Sequence, residues 1–166
     1  MILPIIQHPN EILTTRSKEV NLDFVMSKDT KKLVQDMIET MYHAKGVGLA
    51  APQIGLGIRL CVITKQYTPD QKDLVLFNPT WEKTSRKKVA DNEGCLSVPY
   101  TFGRVKRLKN IKVNAINESG KKISFEASDF FARIVQHEVD HLNGELFIFK
   151  AKNIQEEYEE ETDERI

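Results

Sequence analysis

With 166 residues, 40% of them hydrophobic, the chain is sized for one compact domain around a single core, not for two independent ones. Lys+Arg and Asp+Glu both number 24, so the formal charge is zero and the pI is near 6.9, which excludes a global attraction to nucleic acid or to an anionic membrane. The longest apolar runs, such as Leu3 to Ile6 and Leu146 to Phe149, are far short of a bilayer span, Met1-Ile2-Leu3-Pro4 lacks the basic start of a signal peptide, and 2 cysteines make no disulfide framework; a cytoplasmic protein is expected.

Ser27 to Lys45 is predicted to form an amphipathic helix, because Leu33, Met37 and Met41 recur every fourth residue and Val34 and Ile38 widen the same stripe. Ser27 or Asp29 is expected to cap its start and Gly46 its end. Gly46 to Gly55 is too rich in glycine, and too interrupted by Pro52, for a regular helix or a central strand. Strands are predicted at Ile58 to Thr64 and Leu74 to Asn78, then at Ile111 to Ile116 and Ile123 to Ala127, with Asn117-Glu118-Ser119-Gly120 joining the last two as a hairpin. Cys61, inside the first of these runs, reads as plain core. A second helix starts from Ser128 or Asp129, carries Phe130, Phe131, Ile134, Val135, Val139 and Leu142 on its apolar positions, and ends at Asn143-Gly144. Past Phe149 the composition turns acidic, and Glu156 to Glu161, with Tyr158 inside, reads as a solvated or frayed terminus. Strands between two helices without βα alternation predict an α+β domain: antiparallel or mixed strands around a central helix, plus the N-terminal helix. It is expected to fill residues 1–150, followed by a short acidic tail over 151–166.

His137-Glu138-Val139-Asp140-His141 is an HExxH pattern inside the second predicted helix. Histidines four apart are rotated by only about 40° and lie about one turn apart, so both imidazoles can reach one metal ion. Glu138 points to the side of that pair, where a carboxylate can take a proton from an activated water without becoming a ligand. The bland alternative is a chance match on a polar helix face. Hydrolytic metal sites take three protein ligands and leave one position for water, yet no histidine follows His141. Upstream, Glu93-Gly94-Cys95-Leu96-Ser97 reads as a turn into a strand that could hold a thiolate beside a cation, which makes Cys95 the candidate third ligand rather than an ordinary buried thiol. Two other functions compete on the residues alone. An HExxH endopeptidase lacks its usual downstream ligand here, and a non-catalytic structural site lacks a fourth.

Three segments, Gly46-Val47-Gly48-Leu49-Ala50-Ala51-Pro52-Gln53, Glu93-Gly94-Cys95-Leu96-Ser97 and Gln136-His137-Glu138-Val139-Asp140-His141-Leu142, together resemble the signature motifs of the peptide deformylase family, GxGLAAxQ, EGCLS and QHExDHL. They are complete and in order, and the resemblance runs from Met1 to about Phe149. It implies that residues 1–150 are a catalytic domain that removes the N-formyl group from the N-terminal formylmethionine of newly synthesised polypeptides, releasing formate. Cys95, His137 and His141 are then the ligands of one divalent metal ion, iron(II) in the cell, for which zinc or nickel can substitute. By the same resemblance Glu138 carries the proton, while the Gln53 side-chain amide and the Leu96 backbone N–H stabilise the oxyanion.

Val47, Phe130, Ile134 and part of His137 would line a pocket for the methionine side chain, although Phe130 and Ile134 read equally well as core. Gly48 would let a substrate strand lie against residues 46–51, unless it is only a turn glycine, and Gly94 is placed on the same substrate side. Glu93 is expected to brace the Cys95 loop, and Asp140 to orient a ligand imidazole or to form a surface salt bridge. The implied partners are N-formylmethionyl nascent polypeptides, with transient ribosome proximity, no nucleic acid binding of its own, no membrane and a monomeric state. Two features depart from the family pattern. Phe102 stands where bacterial members often carry an arginine that positions the peptide, with Arg104 two residues on, and Lys150 to Ile166 lacks the apolar positions of a long C-terminal helix.

Overall fold

In the computed structural model, which describes residues 1–157, a short helix α1 (Leu22–Met26) leads into the long α2 (Lys28–His43). Ser27 caps α2 as predicted, its hydroxyl accepting from the Thr30 N–H at 3.1 Å, and Val34, Met37 and Met41 turn to the core. The other end differs from the expectation: Ala44 is the C-cap and Lys45, not Gly46, takes the left-handed conformation, with φ 57°. The chain then supplies β1 (Gly48–Ala50), β2 (Leu60–Ile63), β3 (Leu74–Lys83), β4 (Lys88–Cys95), β5 (Val98–Leu108), β6 (Asn110–Ile116), β7 (Lys122–Ser128), helix α3 (Asp129–Leu142) and β8 (Lys152–Glu156).

Every pairing between these strands is antiparallel, in a five-stranded sheet ordered β1-β2-β3-β6-β7 and a three-stranded sheet ordered β4-β5-β8. The α+β expectation holds, and all four predicted strands fall in the larger sheet. The glycine-rich segment is more regular than expected: Gly48–Ala50 is an edge strand, and Ala51–Ile54 forms a 3-10 turn that closes on Gly55 at φ 85°. The smaller sheet escapes a hydrophobicity reading because β4 is largely exposed, and β5 puts Gly103, Val105 and Arg107 inward against Arg104 and Lys106 outward. Period two is there, with an arginine in an apolar place. Part of the expected acidic tail is also a strand, since β8 pairs Gln155 with Phe102 and Glu156 with Thr101. The remainder, from Tyr158, lies outside the described residues.

Helix α3 is the element that organises the rest. Every residue from Phe131 to Leu142 is buried, and the helix packs on β1, β2, β3, β6 and β7 on one side and on β5 on the other. Its C-terminal carbonyls are closed by a cation: Arg59, itself buried, donates to Leu142 O and to Asn143 Oδ1, each at 2.9 Å. Gly144 ends the turn at φ 76°, and a methyl group there would lie 2.8 Å from the backbone of Thr14. Gly144→Ala therefore combines a left-handed alanine, costing about 1–2 kcal/mol, with a backbone collision. Urea unfolding should show a loss at least that large; a wild-type midpoint would mean that the end of α3 is not held as described.

Candidate metal centre

The two histidines of α3 face one point, as a four-residue spacing on a helix requires. His137 Nε2 and His141 Nε2 are 3.1 Å apart, and His141 Nε2 is 3.3 Å from Cys95 Sγ at the end of β4. The donor atoms of Cys95, His137 and His141 all lie within 4.8 Å of one another, and all three residues are buried. So the sequence motifs, 46 positions apart in the case of Cys95 and His141, do converge.

What surrounds these atoms fixes which lone pairs they present. Glu93, two residues before Cys95, accepts from His137 Nδ1 at 2.8 Å, which places a proton on that nitrogen and leaves Nε2 as the ring atom turned inward. Burial, followed by the neighbouring charges of His137 and Arg107, holds His141 well below the usual histidine range and so favours its uncharged form. Its Nδ1 has no hydrogen-bond partner among the described residues. Burial pushes the Cys95 thiol up to about 12, against the pull of backbone N–H donors from Ser97 and Val98. Three electron-rich atoms thus face one another at contact distance, an arrangement that is repulsive unless a proton or a cation lies among them.

Glu93 and Glu138 are both buried carboxylates with opposite surroundings. Burial alone would raise Glu93, but hydrogen bonds from Arg107 and His137 and their charges hold it well below the usual carboxylate range. Arg107 grips it through Nε and Nη2, both at 2.8 Å, and reaches Asp140 Oδ2 with Nη1 at 2.5 Å. Arg133 adds a further donor to Glu93 Oε2 at 2.6 Å. Glu138, in contrast, is 0% exposed and neither oxygen has a partner among the described residues. Burial first, then the charges of Glu93 and Asp140, raise it well above its ordinary value, with Arg107 opposing. Its carboxylate lies against β1, where a methyl group on Gly48 would sit 2.5 Å from Oε1.

The remaining expected residues are placed as follows. Gln53 enters the site from the 3-10 turn: its Oε1 accepts from the Ala50 N–H at 2.9 Å, while Nε2 reaches Ser97 Oγ at 3.1 Å and Cys95 Sγ at 3.6 Å. It satisfies local backbone and touches the candidate ligand at once. Leu96 forms the turn after Cys95 and is 8% exposed. Gly94 pairs across the sheet with Phe102, whose ring occupies the space a Gly94 side chain would need, at 2.8 Å. Val47 and Ile134 lie in the core cluster beneath, while Phe130, set edge-on to Tyr67 at 4.7 Å, borders a cavity of about 220 Å³ with Val89, Asp91 and Arg133.

Asp140 is neither on the surface nor against an imidazole. It is buried, accepts from Arg107 and pairs with Lys150 at 3.1 Å. The group that orients an imidazole is Glu93. Two arginines of this network carried no motif, although a signal existed for each: Arg107 occupies an inward position of an alternating strand, and Arg133 interrupts an apolar helix face one turn before His137. Such arginines need buried carboxylates. Arg107→Met would strand Glu93 and Asp140 without their shared cation, and breaking a buried pair from one side costs about 3–5 kcal/mol. Denaturant unfolding of the variant should show a loss of that order; a loss below about 1 kcal/mol would place the pair among weak surface bridges.

A family model described as polypeptide deformylase matches residues 2–157, a span that includes β8. The chain is 46% identical over 144 residues to peptide deformylase 1 of Clostridium acetobutylicum, covering 87% of this chain and 91% of that protein. It is 44% identical over 159 residues to peptide deformylase 1 of Bacillus cereus, covering 95% and 97%. Among solved structures, an actinonin-bound class I type b peptide deformylase from Acinetobacter baumannii superposes with a TM-score of 0.85 at 34% identity, over 92% of this chain and 99% of that one. A peptide deformylase from Thermotoga maritima gives 0.84 at 36% identity, over 92% and 99%. On sequence and fold together, the chain belongs to the polypeptide deformylase family.

Proposed function

We propose that this member of the family removes the formyl group from the N-terminal methionine of newly made polypeptides, with one divalent metal ion held by Cys95, His137 and His141 and with Glu138 as the proton carrier. One observation carries the reading: three buried soft and borderline donors converge beside a buried carboxylate whose two oxygens have no partner among the described residues. The donor set fits an ion. Bonds of about 2.0–2.3 Å to nitrogen and sulfur imply donor separations of about 3.3–3.6 Å in a tetrahedron, and the separations of 3.1 and 3.3 Å lie at or a little under the lower end of that range, so a small outward shift of the donors admits the ion. A thiol kept neutral by burial also ionises outright on meeting a cation. One thiolate and two imidazoles suit iron(II), zinc or nickel, and iron(II) is the ion the family resemblance favours in the cell.

When bound, a divalent ion lowers the pKa of a water to about 7 and polarises a carbonyl oxygen. The side chains do the rest. Glu138 receives the proton of the attacking water on a carboxylate oxygen and returns it to the departing amine nitrogen, and its raised proton affinity suits the acid half of that task. Gln53 Nε2, whose 3.6 Å contact to Cys95 Sγ is long, has an N–H to redirect to the developing oxyanion, with the Leu96 N–H as a second donor. Glu93 keeps the His137 ring in its ligand tautomer. The methionine side chain lies against Phe130, with Val47 and Ile134 as the wall behind; Gly48 makes room for Glu138 beside the substrate strand, and Gly94 makes room for the Phe102 ring. That a related A. baumannii enzyme is known with Met-Ala-Ser bound supports a peptide N-terminus as the occupant. Among the described residues no helix is long and apolar enough to cross a membrane. We place the enzyme in the cytoplasm as a monomer, in passing proximity to the ribosome.

Formate release from formyl-Met-Ala-Ser by anaerobically prepared, iron(II)-loaded protein tests the proposal. Glu138→Gln should retain its metal and lose about 10²–10⁴-fold in rate, and the unformylated peptide should yield nothing. A metal-loaded wild type that releases no formate would overturn the function. Gly48→Ala should also keep the metal while pushing the Glu138 carboxylate aside, with kcat falling about 10²-fold, as misplacement of a catalytic group by about 1 Å does. A wild-type kcat for that variant would show that Glu138 need not occupy its observed place.

A further inference from the structure

Arg133 lies one turn before His137 on α3, so both side chains leave the helix on the same face, and both end on Glu93. Arg133 is buried, 4% exposed as a whole residue. From Nη1 it donates to Glu93 Oε2 at 2.6 Å and to Val105 O at 2.9 Å, and from Nη2 to Val89 O at 2.7 Å. Each oxygen of Glu93 therefore carries two donors: Arg107 Nη2 and His137 Nδ1 on Oε1, Arg107 Nε and Arg133 Nη1 on Oε2. That fills the carboxylate's roughly four lone-pair sites. Arg107 cannot fix Glu93 alone, because its third arm is committed to Asp140. Lys150 shares Asp140 with Arg107, and Arg133 is the second guanidinium on Glu93. Its carbonyl partners sit on β4 and on β5, so its position is set by the strands and not by Glu93 itself.

We infer that Arg133 is a positioning residue for the candidate metal ligand His137: by holding Glu93 Oε2 it keeps Oε1 aligned with His137 Nδ1, and so keeps the Nε2 lone pair aimed at Cys95 and His141. The inference rests on the reading of those three residues as ligands. Without Arg133, Glu93 Oε2 loses one of its two donors and the carboxylate turns to recover one, which takes the acceptor away from the imidazole. Arg133 also forms part of the wall of the 220 Å³ cavity beside Phe130, so the informative variant keeps the aliphatic stem and removes only the fork.

The full chain is stripped of metal and reloaded with Co2+, whose visible bands report the ligand field, in wild type, Arg133→Met and Arg133→Lys, with circular dichroism and thermal unfolding run on each. Wild type should take up one Co2+. Arg133→Met should show shifted bands and release Co2+ to a chelator about 10-fold faster, at the lower end of what loss of a partner behind a metal ligand costs. Arg133→Lys, which restores charge but not a two-armed donor, should fall between. Folded variants with wild-type bands and release rates would reduce Arg133 to packing and overturn the inference, whatever their thermal midpoints. If Arg133→Met does not fold, Arg133→Lys decides by the same two readings. A wild-type chain that takes up no Co2+ overturns the metal reading, and this inference with it; normal uptake with unaltered variants overturns this inference alone.

Discussion

A helix buried along twelve consecutive residues can carry Arg133, Gln136, His137, Glu138, Asp140 and His141 only if the strands around it return a partner to nearly every polar atom. Most of this structure is the answer to that demand. Strand β4 supplies Glu93 to His137 and to Arg133, strand β5 supplies Arg107 to Glu93 and Asp140, and the backbone of Leu108 is bonded on both sides by Gln136 at 3.1 and 2.8 Å. The smaller sheet has few apolar residues to bury, yet it supplies α3 with Glu93 and Arg107, while Lys150, just before β8, adds a cation to Asp140.

The exceptions to satisfaction mark the chemistry. Glu138 keeps both oxygens without a partner among the described residues, beside a glycine whose missing side chain makes room for it. Glu93, on the smaller sheet, has four donors. Burial penalises the two carboxylates alike, so the difference in their proton affinities is made by hydrogen bonding and local charge: Arg107 touches one and acts on the other only at a distance. A pair of like groups driven apart in this way divides the work, one fixed as an anion that orients a ligand and the other free to exchange a proton.

The order of inference from sequence follows from the range over which each signal acts. The helical HExxH spacing is local, and so was fully legible: the ring-to-ring separation at His137 and His141 is what a four-residue step on a helix dictates. Cys95 was legible as the missing third donor because valence requires one, although no local pattern gave its distance from α3. Asp140 was misplaced because its partner, Arg107, lies on a strand whose alternation is built from charged residues, and a hydrophobicity pattern cannot see a core made of ion pairs. The strand Lys152–Glu156 was invisible for the same reason from the other side: all five residues are exposed, so nothing but main-chain pairing with β5 defines it.

The pairing of β8 bears on the departures from the family pattern as well. Phe102, in the place where an arginine was expected, is held between two backbones: Gly94 across the sheet on one side and Gln155 of β8 on the other. Its ring lies where a Gly94 side chain would be, so the glycine before Cys95 is required by internal packing before any substrate is considered. Arg104 does not take over the missing cation's place, because it is the next outward residue of β5 and spends an N–H on Ala90 O at 3.1 Å. The space over Gly94 is therefore taken by an aromatic ring, and Arg104 borders the same cavity as that ring. Strand β8 (Lys152–Glu156), paired along β5 through Gln155 and Phe102, braces that ring from the other edge.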